Sequence, residues 1–195
     1  GAAMAKQCFR VMDPVTQRMM GLRPDMTPQV ARIARTRLAG APRPLRLSYA
    51  GQVLRVKGSQ LRPERQFGQA GIELIGADSP EADAEVAILA AEALVALGVP
   101  GVTVDLSLPA LVPAILAGLN VDSDSLRGSL DHKDATAVLA LGGVAAPLLS
   151  ALLKAAGPVE RALAVLAELD LPAQAAAERD RLAKVAALIA AAAPE

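Results

Sequence analysis

Between residues 45 and 75 the side chains change character in steps of two, the period of a strand whose neighbours point to opposite faces. Along 45–56, Leu47, Tyr49, Gly51, Val53 and Arg55 fall on one face; along 66–75, Phe67, Gln69, Gly71, Glu73 and Ile75 do. The polar, proline-containing stretch Lys57–Arg65 connects the two runs. Antiparallel pairing across a loop centred near Leu61 sets Arg55 opposite Phe67, Val53 opposite Gln69, Gly51 opposite Gly71 and Tyr49 opposite Glu73. A slip of one residue would turn the row to the other face.

Other patterns supply the flanking elements. Residues 8–12 and 18–22 read as a hairpin about Asp13-Pro14-Val15-Thr16-Gln17, because Asp-Pro initiates turns. Met26-Thr27-Pro28 reads as a helix start with Thr27 as N-cap, running to about Leu38 and stopping at Gly40 and Pro42. Ser79-Pro80-Glu81-Ala82-Asp83 is a second capped start, with acids in the first turn, for a helix that ends at Gly98. Val102–Leu108 reads as one more strand. Beyond it the chain is rich in Ala, Leu and Val, with helices predicted near 109–118, 123–140, 145–156, 158–169 and 173–192. Gly118, Gly142-Gly143, Gly157-Pro158 and Leu171-Pro172 punctuate them, and the Ala190–Ala193 tract is helical scaffold. The expected organisation is an α+β segment over 1–108 followed by a mostly helical extension over 109–195, with no internal repeat.

Composition removes whole classes of function. Apolar residues are 53% of 195, too many for a disordered chain. Phe9, Phe67 and Tyr49 are its only aromatics, which argues against a platform that stacks single-stranded bases. The single cysteine, Cys8, excludes a disulfide framework and multi-thiolate zinc; the single histidine, His132, excludes paired-histidine metal sites. No metal site or resident cofactor is expected. The chain has no apolar run of membrane-spanning length and no secretory signal at its start, so a cytoplasmic protein without a membrane partner is expected.

A net charge of zero conceals an asymmetry. Residues 1–65 hold 13 Lys/Arg against three acids, whereas residues 66–195 hold 7 against 17. A segment at +10 suits an anion or an acidic partner, yet solvated faces explain it as simply. An RNA surface is disfavoured by the scarcity of rings.

The polar row is the candidate chemistry. A face of Tyr49, Arg55, Gln69 and Glu73 around two glycines suits a small zwitterion or a nucleotide. Glycines let a ligand lie against the backbone, a carboxylate and an amide accept from an ammonium, and a guanidinium grips a carboxylate or phosphate. A merely solvated face has the same alternation, and alternation alone leaves both readings open. Elsewhere, His132 between Asp131 and Asp134 reads as a surface residue, and Cys8 as a small hydrophobe rather than a reactive thiol. Asp122-Ser123-Asp124-Ser125 reads as a helix cap, since the terminal glutamate of a calcium loop is missing.

Three separated blocks carry a resemblance. Leu22-Arg23-Pro24-Asp25-Met26-Thr27-Pro28-Gln29-Val30-Ala31-Arg32, Leu47–Arg55 and Arg65–Gly76 resemble the class II histidyl-tRNA synthetase catalytic core. With Pro80–Val86, they resemble more closely its paralogue, the regulatory subunit of ATP phosphoribosyltransferase. The likeness covers residues 7–98 in detail and implies an antiparallel sheet flanked by helices, with 46–75 as the strand–loop–strand of motif 2. It implies that Gln69 and Glu73 hold a histidine ammonium, that Asp25 (where the synthetase usually has Glu) and Thr27 line the same pocket, and that Arg55 is the motif 2 arginine facing ATP.

The departures favour the paralogue. Lys57 stands where the synthetase motif has an acid, and Lys57-Gly58-Ser59-Gln60-Leu61-Arg62-Pro63-Glu64-Arg65 lacks the synthetase loop sequence. Losing an oriented active-site contact typically costs about 3 kcal/mol or more, which a non-catalytic relative tolerates. Motifs 1 and 3 are not visible, so the sequence reads as an internal segment. The resemblance thus implies a non-catalytic subunit with a possible bound histidine, forming a homodimer within a hetero-oligomer with the short-form ATP phosphoribosyltransferase catalytic subunit. A fragment of a histidyl-tRNA synthetase is the alternative.

Overall fold

The computed structural model describes residues 2–61, 63–119 and 122–192. Arg62 in the predicted loop and Ala193 in the alanine tract lie outside them. Contacts divide the chain into two compact units, Gly1–Asp78 and Ser79–Glu195; the boundary expected at 108/109 lies inside the second. Antiparallel hairpins in one and helices in the other make the α+β class expected.

The first unit opens with a short helix α1 (Ala2–Gln7) and the hairpin β1 (Arg10–Met12) and β2 (Met19–Gly21). Asp13 builds the turn: its carboxylate accepts from the Thr16 hydroxyl at 2.5 Å and from the Val15 amide at 3.0 Å, which together lower its pKa. Helix α2 (Thr27–Arg35) follows, and then the long hairpin of β3 (Leu45–Leu54) and β4 (Gln66–Ile75).

The hairpin pairs Tyr49 with Gly71, Gly51 with Gln69, Val53 with Phe67 and Leu47 with Glu73. This register differs by two residues from the sequence expectation, because the Arg55 amide bonds the Arg65 carbonyl at 2.7 Å and the ladder closes nearer its loop. A shift of two preserves parity, so the predicted face survives with altered partners. Its odd positions are the covered ones, from Leu45 and Val53, both buried, to half-buried Tyr49, Gln69 and Glu73. Even positions such as Arg46, Ser48, Gln52 and Gly68 are exposed. The polar row therefore points inward, toward buried Met26 and α2, whose Val30 and Ala34 are buried.

The second unit begins with α3 (Pro80–Ala96), its N-cap Ser79 accepting from the Ala82 amide at 3.3 Å and Gly98 closing it at φ +78°. Helices α4 (Leu111–Leu116), α5 (Ser123–Asp131), α6 (Ala135–Leu141), α7 (Ala146–Ala155), α8 (Val159–Ala167) and α9 (Ala173–Ala192) complete it. Leu126, Val138 and Leu149, none with any exposed surface, centre its core with Leu111, Ile115 and Leu166. Helix α3 packs on α9, where Asp83 meets Arg181 at 2.9 Å and Glu81 meets Lys184.

Three local expectations are corrected. The predicted helix 123–140 breaks at 132–134, where Lys133 takes φ +56° and Asp134 caps the next helix through the Ala137 amide at 3.0 Å. Val102–Leu108 forms no strand: the described sheets are two separate hairpins, and a strand requires a ladder partner. Thr27 is not an N-cap; it is the first residue of α2, and its hydroxyl is engaged elsewhere. Asp122 does cap α5, through the Ser125 amide at 3.2 Å, and His132 is exposed, both as read from the sequence.

Candidate functional site

The segment Arg23–Thr27 crosses the inward face of the β3–β4 hairpin. At one end the Arg23 carbonyl accepts from the Leu54 amide at 3.0 Å; at the other the Thr27 hydroxyl donates to Glu73 Oε1 at 2.8 Å. Asp25 folds this segment locally, its Oδ1 accepting from the Thr27 amide at 2.9 Å. A short polar side chain bonding an amide two residues on is a stable turn, and it serves the helix start as a cap would.

Gln69 is clamped between main chain and side chain. Its carbonyl oxygen accepts from the Met26 amide at 2.9 Å, and its amide nitrogen donates to Asp25 Oδ1 at 3.2 Å. Two rungs away, Thr27 Oγ1 lies 3.1 Å from the Tyr49 hydroxyl, which is 3.5 Å from Glu73 Oε1. Among the described residues, Asp25 Oδ2 and Glu73 Oε2 take no hydrogen bond. Two carboxylate oxygens are therefore available to a cation, beside an amide locked in orientation.

Five of the six predicted residues thus form one connected cluster: Asp25, Thr27, Tyr49, Gln69 and Glu73. The sixth, Arg55, lies on the same face but toward the loop. Its Nε donates to the Pro24 carbonyl at 3.2 Å, and its guanidinium carbon stands 5.0 Å from the centre of the Phe67 ring. Lys57 is exposed.

The expected bare patch at Gly51 and Gly71 is filled. A Cβ on Gly71 would collide with the Tyr49 ring, so the glycine makes room for its cross-strand partner. A Cβ on Gly51 would sit 2.7 Å from Arg23 Nη2 and 3.2 Å from Met26 Sδ. Arg23 and Met26 are the site residues that sequence reasoning missed. The signal was present, since a glycine inside a strand marks close approach of some group, and the chain's own side chains are candidates as much as a ligand.

A family profile described as Histidyl-tRNA synthetase matches residues 1–195. The chain belongs to the histidyl-tRNA synthetase family. Within it, the resemblance read from the three sequence blocks holds. The chain is 68% identical over 191 residues to the ATP phosphoribosyltransferase regulatory subunit of Paramagnetospirillum magneticum, covering 96% of this chain and 50% of that protein. It is 57% identical over 197 residues to the regulatory subunit of Rhodospirillum centenum, covering 100% of this chain and 51% of the relative. Among solved structures it is similar to the ATP phosphoribosyltransferase regulatory subunit/histidyl-tRNA synthetase from Bacillus halodurans, with TM-score 0.74 and 26% identity over 98% of this chain and 52% of that one. The chain spans about half the length of these relatives. No helix of the described residues is long and apolar enough to cross a membrane.

Proposed function

We propose that this chain serves as a non-catalytic regulatory subunit of ATP phosphoribosyltransferase in histidine biosynthesis, a cytoplasmic protein that binds histidine. Its partner would be the short-form catalytic subunit, with the chain a homodimer inside the hetero-oligomer. The names of its relatives support the subunit role. The observation that carries histidine binding is the cluster in which a clamped Gln69 lies beside Asp25 and Glu73, each with an unengaged carboxylate oxygen among the described residues.

Histidine with its ammonium on Gln69 and Glu73 would favour one arrangement of the assembly over another. Only such a difference of affinities shifts the catalytic subunit. Glu73→Ala is expected to abolish histidine binding by calorimetry on the full-length protein; retained affinity rejects the pocket. Capture of the short-form catalytic subunit in a pull-down tests the partner.

The synthetase reading draws on Arg55, which stays on the same face as the cluster. Against it stand Lys57 and the tie of Arg55 to Pro24 and Phe67. Pyrophosphate exchange dependent on ATP and histidine would overturn the non-catalytic assignment.

A further inference from the structure

We propose that Arg23 is the carboxylate anchor of this site, the residue that makes it select an amino acid over the corresponding amine. The assignment rests on the reading of the Asp25–Gln69–Glu73 cluster as an amino-acid site.

Arg23 is held at both ends of the residue. Its carbonyl accepts from the Leu54 amide at 3.0 Å, and its Nε donates to the Gln52 carbonyl at 2.7 Å. These two bonds fix the half-buried guanidinium over Gly51, on the inward face and on the rung that Gly51 shares with Gln69. The space is reserved for it, since any side chain at residue 51 begins 2.7 Å from Nη2.

The guanidinium is only partly used. It carries five N–H donors in a planar fork, and among the described residues the bond from Nε is its one hydrogen bond. The Nη edge therefore remains available for the two-point grip that guanidinium makes on carboxylate. Arg55 is a poorer candidate for this task. Its main chain pairs with Arg65, two inward rungs beyond Gln69, at about 7 Å per inward rung. Its Nε is taken by the Pro24 carbonyl, and its guanidinium lies over the Phe67 ring.

Charge completes the argument. The cluster offers carboxylate oxygens of Asp25, bonded to Gln69, and of Glu73 farther along the same face, with the Arg23 cation on the Gln69 rung. An α-amino acid bears ammonium and carboxylate on the same carbon and so needs both signs close together. Acids alone would hold an amine that lacks the carboxylate just as well, and discrimination requires a group that only the correct ligand satisfies.

The test is calorimetry on the full-length protein with histidine and with histidinol, in which a hydroxymethyl group replaces the carboxylate. Arg23→Gln is expected to weaken histidine by about tenfold or more, the usual size of a charge-assisted hydrogen bond, while leaving histidinol unchanged. Gly51→Ala, which displaces the guanidinium by contact, reproduces the selective loss without removing the charge. Equal losses for both ligands, undiminished histidine binding in both variants, or histidinol binding the unsubstituted protein as tightly as histidine would each overturn the anchor and leave the site reading standing. Failure of the unsubstituted protein to bind either ligand overturns the site reading, and the anchor with it.

Discussion

Thr27 and Glu73, 46 positions apart in the sequence, are joined by a 2.8 Å hydrogen bond from the threonine hydroxyl to Oε1 of the carboxylate. The bond links the first residue of α2 to the inward face of β4. It also orients Glu73, since Tyr49 stands farther off at 3.5 Å.

Thr27→Val keeps the shape and removes the donor. Both partners are only partly covered, so Glu73 recovers some hydration, and the expected loss is about 1 kcal/mol in urea unfolding. Thr27→Ser, which retains the hydroxyl, is expected to stay within about 0.5 kcal/mol of the unsubstituted protein.

Gly71→Ala sets a methyl against the Tyr49 ring. The ring must leave its seat, at a cost of about 1–3 kcal/mol for an overpacked contact. If collision is the cause, adding Tyr49→Ala removes most of the penalty of the second change, and a double-mutant cycle by chemical unfolding measures that coupling. Additive losses would refute it.

The α3–α9 contact responds to acid. Lys184 beside Glu81 holds that carboxyl down to about 2, against an ordinary 4.5. A folded-state pKa below the unfolded one means that the native protein binds fewer protons. The stabilisation is present above about 4.5 and is lost as pH falls toward about 2. Carbon-detected NMR titration of Glu81 is expected to give the low midpoint, and Lys184→Met is expected to return it toward the ordinary value. Both groups are exposed, so salt should weaken the effect.

Residues 103–107 should exchange amide hydrogens at least about tenfold faster than β3 and β4, because unpaired backbone has no structural protection. Among the described residues their N–H groups meet no main-chain carbonyl, whereas β3 and β4 form a continuous ladder. Hydrogen-exchange mass spectrometry compares the two regions directly.

What the sequence made legible follows the reach of each physical signal. Face membership along 45–54 and 66–75 was readable because a period of two is local to each strand. The rungs were not, because the Lys57–Arg65 connection sets them, and a two-residue shift keeps every side chain on its side. Thr27 before Pro28 has the local chemistry of a cap; a carboxylate 46 residues away competes for the hydroxyl, and no window of the sequence contains both. Val102–Leu108 was read as a strand, but a local sequence pattern cannot supply the neighbour to pair with. The break within 123–140 was not read: Asp134 has the chemistry of a cap but lay inside a continuous helical pattern, and the positive φ of Lys133 has no compositional sign. Asp25 and Thr27 were legible through family resemblance, Gln69 and Glu73 through resemblance and alternation together, and Tyr49 through alternation alone; Arg23 was not, since its place depends on a crossing segment.

That crossing segment roofs the polar face and rests on both strands. A guest held by groups of both the segment and the strands would brace roof and floor together, so occupancy should register as heat resistance of the whole first unit, rising with the logarithm of guest concentration once the seat is saturated. A melting curve could then serve as a gauge of loading without any label on the guest.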